Sequence, residues 1–118
     1  MAEKVCMMVR KAPIGSNDAL EAFRLSLGLF VADVEATVVL VGDGVLNAVR
    51  HLDGQEVKRP TPQEYLQAMA DSGLSIWAVE EDLVARGLSE AMVEDFVQVV
   101  GWERLAPMLE AEPLIWAF

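Results

Sequence analysis

The sequence predicts one α/β domain over residues 1–118, a mainly parallel five-stranded sheet with helices on both faces. Three observations lead there. Short apolar runs alternate with segments of helical periodicity along the chain. The first of these runs is apolar at both parities, so it must be covered on both sides, as strands of a parallel sheet are. The length, 118 residues, suits one core in two or three layers.

The elements follow in order. "KVCMMVR", residues 4–10, is the first strand, with Val5, Met7 and Val9 facing one way and Cys6 and Met8 the other. "KAPIGSND" is a loop punctuated by Pro13 and Gly15. From Asp18, Leu20, Phe23, Leu27, Phe30 and Val31 recur at helical spacing, with Ser16 or Asn17 placed to cap the helix. "ATVVLVGDG" is a second buried strand ending at Asp43-Gly44, "VLNAVRHL" a short helix and "DGQEVKRP" a polar loop. "TPQEYLQAMADSG" carries full helix punctuation: Thr61 as cap, Pro62 first in the helix, Glu64 completing a capping box and Gly73 past the end. "LSIWAV" is the third strand and runs into Glu80, Glu81 and Asp82. "EDLVARG" is a short helix stopped by Gly87, and "SEAMVED" one more turn with Ser89 as cap. "FVQVVG" is the fourth strand, "WERLAPMLEAE" a helix that Pro107 should start, kink or shorten, and "LIWAF" the fifth strand.

Composition bounds the function. Nineteen acids against nine bases give a formal charge of −10, a surface that repels phosphate backbones, so direct nucleic-acid binding is not expected. Hydrophobic residues make up 53 % of the chain, a surplus that points to subunit contacts and an oligomer. No apolar run approaches the roughly 18 residues of a membrane span, and "MAEKVCMMVRKAP" has no cleavable apolar segment. A cytoplasmic location without membrane attachment is expected. The single cysteine, Cys6, excludes an internal disulfide and any paired-cysteine metal or redox motif within the chain.

In parallel α/β sheets the ligand site lies beyond the carboxyl ends of the strands. The candidate rim pocket therefore comprises Arg10, Lys11, Gly15, Asn17, Asp43, Gly44, Val79, Glu80, Glu81 and Trp102. A nucleophile–base pair is disfavoured: His51 is the sole histidine, in a polar stretch, and no Gly-x-Ser-x-Gly elbow exists. Glu80, Glu81 and Asp82 could act as acid and base or join Asp43 around a metal. The helix dipole explains acids at a helix start more simply, so no metal and no cofactor is expected. Arg10, Lys11 and the first amides of the first helix could hold a small anion, but the loop lacks the glycine pattern of a phosphate cradle. Cys6 lies in mid-strand and reads as a small buried hydrophobe. Trp77, Trp102 and Trp116 lie in or beside strands and read as core or interface.

Several stretches together resemble the DsrE/DsrF-like sulfur-relay proteins, most nearly the TusC/DsrF-type subunit. They are "MMVRKAPIGSNDALEAFRLSLGLF", "VVLVGDGV", "YLQAMADSGLSIWAVEEDLVARGL" and the terminal "PLIWAF". The matching motifs are Ala12-Pro13-x-Gly15 after the first strand, Asp43-Gly44-Val45 after the second, and Arg86-Gly87-Leu88 at a helix end. The resemblance implies a flavodoxin-like, DsrE-like fold and a sulfur relay of the kind that serves tRNA thiolation or sulfur oxidation. It implies partners as well, DsrE/TusD-type and DsrH/TusB-type subunits, or self-association. In such relays a cysteine just after the third strand carries a persulfide. Alignment back from Arg86-Gly87-Leu88 puts Val79 at that position, and an apolar side chain cannot carry sulfur. The expectation is a non-catalytic subunit that scaffolds cysteine-bearing sisters. Two other classes compete with it: a stand-alone anion- or small-ligand-binding homo-oligomer using Arg10, Lys11 and Asn17, and a carboxylate-dependent metalloenzyme using Asp43, Glu80 and Glu81.

Overall fold

The computed structural model describes residues 3–13, 17–50, 62–111 and 114–118. Five strands form one sheet: β1 (Glu3–Val9), β2 (Val34–Leu40), β3 (Ile76–Val79), β4 (Gln98–Val100) and β5 (Ile115–Ala117). All are parallel, in the order β4-β3-β2-β1-β5. The helices are α1 (Asp18–Val31), α2 (Pro62–Asp71), α3 (Glu80–Ala85) and α4 (Trp102–Glu110). The predicted architecture is the observed one.

The order explains the layering. From β1 to β4 the chain steps one way along the sheet, so crossovers of a single hand put α1, α2 and α3 on one face. It then returns past β1 to β5, and the same hand puts α4 on the other face. Two apolar clusters result. The larger packs Val5, Met7, Val38, Leu40 and Ile76 of the sheet against Ala22 and Phe23 of α1, Leu66 and Met69 of α2 and Leu83 of α3. The smaller gathers Cys6, Val39, Val41, Val79 and Val100 with Leu105 of α4. The alternation along β1 matches the two parities read from the sequence.

Several local expectations need correction. The buried stripe of α1 is Ala19, Ala22, Phe23 and Ser26, while Phe30 and Val31 are exposed, Val31 at 86 %. Of the predicted face, Phe23 is fully buried and Leu27 packs half-buried against the core, while the end of the helix faces outward. Asn17 occupies the α1 cap position without a side-chain cap hydrogen bond, as does Ser89 ahead of the turn Glu90–Met92. The "VLNAVRHL" helix is instead a 3-10 segment, Gly42–Ala48, which begins three residues earlier and includes Asp43-Gly44. Pro107 lies inside α4 and does not start it. It removes one helical N–H, yet the helix runs on to Glu110. β2 starts at Val34, and β3 is limited to Ile76–Val79. Gly73 and Gly87 end their helices with φ of 88° and 70°, as their positions in the sequence suggest. The predictions for Gly15, Ser16, His51 and Thr61 fall outside the described residues.

Candidate functional site

The carboxyl ends of β1 to β4 converge on one rim, and hydrogen bonds between distant segments define it. The Val41 amide donates to the Val9 carbonyl at 3.0 Å, tying the end of β2 to that of β1. Gly44 then passes so close to β1 that a Cβ there would lie 2.0 Å from the Val9 carbonyl oxygen. Only glycine fits this approach. Beneath it, Asn47 is fully buried and donates through Nδ2 to the carbonyls of Lys11 and Gly44, both at 2.9 Å. The loop after β1 and the turn after β2 are thus fastened by one amide. Arg10 and Lys11 project from this corner exposed, and Asn17 is exposed at the start of α1.

The acids after β3 are divided among different tasks. The Asp82 carboxylate accepts the Gly42 amide at 2.8 Å, which joins α3 to the turn after β2. Arg86, one turn along α3, donates from Nε and Nη2 to Asp43 Oδ1 at 3.1 and 2.9 Å, and from Nη1 to the Asp82 carbonyl at 2.9 Å. The two motifs Asp43-Gly44-Val45 and Arg86-Gly87-Leu88, 43 residues apart, therefore meet in one ion pair. The Glu81 carboxylate accepts the Trp102 amide at 3.1 and 3.3 Å, the first N–H of α4. Glu80 is exposed. Among the described residues, no three His, Cys, Asp or Glu side chains gather as a metal site would require.

Neighbouring strands whose following helices pack on opposite faces leave a crevice between their carboxyl ends. Here that pair is β3, followed by α3, and β4, followed by α4. That position falls between Val79-Glu80-Glu81 and Gly101-Trp102, where the Glu81–Trp102 hydrogen bond spans it. Val79 itself points away from solvent, at 0 % exposure, into the smaller core. Trp102 is exposed at the start of α4, and Gly44 is buried in its turn. The candidate residues thus occupy separate corners. Arg10 and Lys11 flank the β1–β2 turn, whereas Val79, Glu81 and Trp102 belong to the β3–β4 crevice. Sequence reasoning placed Asp82 among the candidate acids of the rim and left Asn47 and Arg86 out. For Arg86 the available signal was its place four residues, about one helical turn, after Asp82; Asn47 offered none.

Comparison with known proteins places this geometry. A model of the DsrE/DsrF-like family matches residues 3–112. The chain belongs to the DsrE/DsrF-like family. Uncharacterized protein MK0008 of Methanopyrus kandleri is 31 % identical over 96 residues, covering 81 % of this chain and 75 % of that protein. Among solved structures, the ychN protein of E. coli superposes with a TM-score of 0.88 at 19 % identity, covering 98 % of this chain and 99 % of that one. A protein of unknown function, MTH1491 from Methanobacterium thermoautotrophicum, gives 0.76 at 16 % identity, with 98 % and 99 % covered. These two likenesses establish the fold. Membership in the DsrE/DsrF-like family implies a role related to sulfur relay. No helix among the described residues is long and apolar enough to cross a membrane.

Proposed function

We propose that this chain is a non-carrying, TusC/DsrF-like subunit of a cytoplasmic sulfur-transfer complex, of the kind that serves tRNA thiolation or sulfur oxidation. One observation carries the reading. Persulfide transfer needs an accessible thiolate, and the chain's single cysteine, Cys6, is 1 % exposed in the middle of β1. Val79, which the resemblance aligns with a carrying cysteine, is the last residue of β3 and is sealed in the core. The rim acids do not substitute for a thiol: Asp82, Asp43 and Glu81 are engaged in holding loops and helices together.

What such a subunit offers is surface. Val31, Val84, Leu114 and Ile115 are exposed apolar side chains. They fit contacts with cysteine-bearing DsrE/TusD-type and DsrH/TusB-type relatives, or with further copies of the chain. Sedimentation velocity at micromolar concentration, alone and with a co-expressed cysteine-bearing relative, tests this. Assembly above the 12.9 kDa monomer is expected in at least one case. A monomer in both contradicts the scaffold role.

A further inference from the structure

The β3–β4 crevice is where this fold type leaves room for a ligand or a reacting group, and here α4 closes it. α4 is thinly attached. Leu105 is its one fully buried side chain; Leu109 packs half-buried against the same cluster and Arg104 stands 6.0 Å over the Trp77 ring, while Trp102, Arg104 and Met108 are exposed and Pro107 interrupts its hydrogen bonding. Elements with so little buried apolar surface open at low free-energy cost. What fastens the start of α4 is the Glu81 carboxylate from α3, which accepts the Trp102 amide with both oxygens at 3.1 and 3.3 Å. A charged cap on a helix N-terminus gains from both the hydrogen bond and the helix dipole.

We propose that α4 is a lid over the floor formed by Cys6, Val39, Val79 and Val100, and that Glu81 is its latch. The inference rests on the non-carrying reading and deepens it: the crevice is shut by a specific contact, in addition to lacking a thiol. Adjacent Glu80 has the same charge, is exposed and does not contact α4's first amide, so it separates latch from charge.

Cys6 reports lid opening because it lies in the cluster under α4. The test follows its alkylation by iodoacetamide under native conditions in the full chain, with backbone hydrogen exchange read in parallel. Glu81→Ala should raise the Cys6 labelling rate and the exchange of the α4 amides by about tenfold, the scale of a lost helix cap. Glu81→Gln, which keeps a carbonyl acceptor for the Trp102 amide, should stay close to the parent. Glu80→Ala should not differ from it. The β1 and β2 amides should remain protected in every variant, which distinguishes lid opening from global unfolding. The latch is overturned if Glu81→Ala leaves labelling and α4 exchange unchanged, if Glu80→Ala matches it, or if β1 and β2 lose protection together with α4. Capture of sulfur by parental Cys6 would refute the non-carrying role and leave these exchange results standing.

Discussion

Gly44→Ala is the substitution whose cost can be worked most directly from the structure. The new methyl would meet the Val9 carbonyl oxygen at 2.0 Å, its carbon at 2.8 Å and the Arg10 nitrogen at 3.3 Å. All three are backbone atoms in or beside the interior strand β1, so no rotamer change relieves the clash. The turn must withdraw by more than an ångström. That movement strains the Gly44 amide bond to the Val41 carbonyl at 2.8 Å, the Val41 amide bond to Val9 and the two Asn47 bonds. At about 1 kcal/mol net for each, with a buried Asn47 left poorly satisfied, the loss is about 4 kcal/mol. Domains of this size are rarely stable by more than about 15 kcal/mol. Urea unfolding followed by tryptophan fluorescence, with Trp77 and Trp116 half-buried, measures the change. A variant within about 1 kcal/mol of the parent would refute the reasoning, because it would mean the turn can leave β1 without loss.

Three other substitutions test separate pieces of the account. Gly28→Ala, on an exposed face of α1 with nothing within 4 Å of the new methyl, should stabilise by about 0.5–1 kcal/mol in the same unfolding assay. Asp33, after α1, has φ of 66° and places a carboxylate at a helix C-terminus; Asp33→Gly should raise the melting temperature by a few degrees, about 0.5–1 kcal/mol. Arg86→Ala breaks the link between Asp43 and α3 and should cost about 1 kcal/mol, since Asp43 is well exposed and the ion pair is screened. Arg86→Lys should recover little of that loss, because a single ammonium cannot reproduce the guanidinium's contacts with Asp43 and the Asp82 carbonyl.

What could be read in the sequence was whatever local chemistry decides. Parity placed Cys6 and Met7 on opposite faces of β1, and Gly73 and Gly87 end α2 and α3 where their backbone freedom is needed. The buried face of α1 was read in part: spacing found Phe23, fully buried, and Leu27, packed on the core, but Phe30 and Val31 at the helix end are exposed and the small residues Ala19, Ala22 and Ser26 complete the stripe. The 3-10 segment after β2 was read as a helix starting later because its first turn is set by contact with β1 through Gly44, a partner more than thirty residues away. At the rim, the acids after β3 were visible as a cluster. Their division between Gly42 and Trp102 depends on sheet order, which places Glu81 beside the start of α4 and Asp82 beside the turn after β2. No spacing within the chain encodes that order.

The central claim is that this member of a sulfur-relay family does not itself carry sulfur, and the most direct measurement is its intact mass after exposure to a persulfidated donor protein. The parent chain should keep its mass, because Cys6 lies buried in β1 and position 79 is valine. A gain of one sulfur atom that is reversed by a reductant and abolished by Cys6→Ser would contradict the claim.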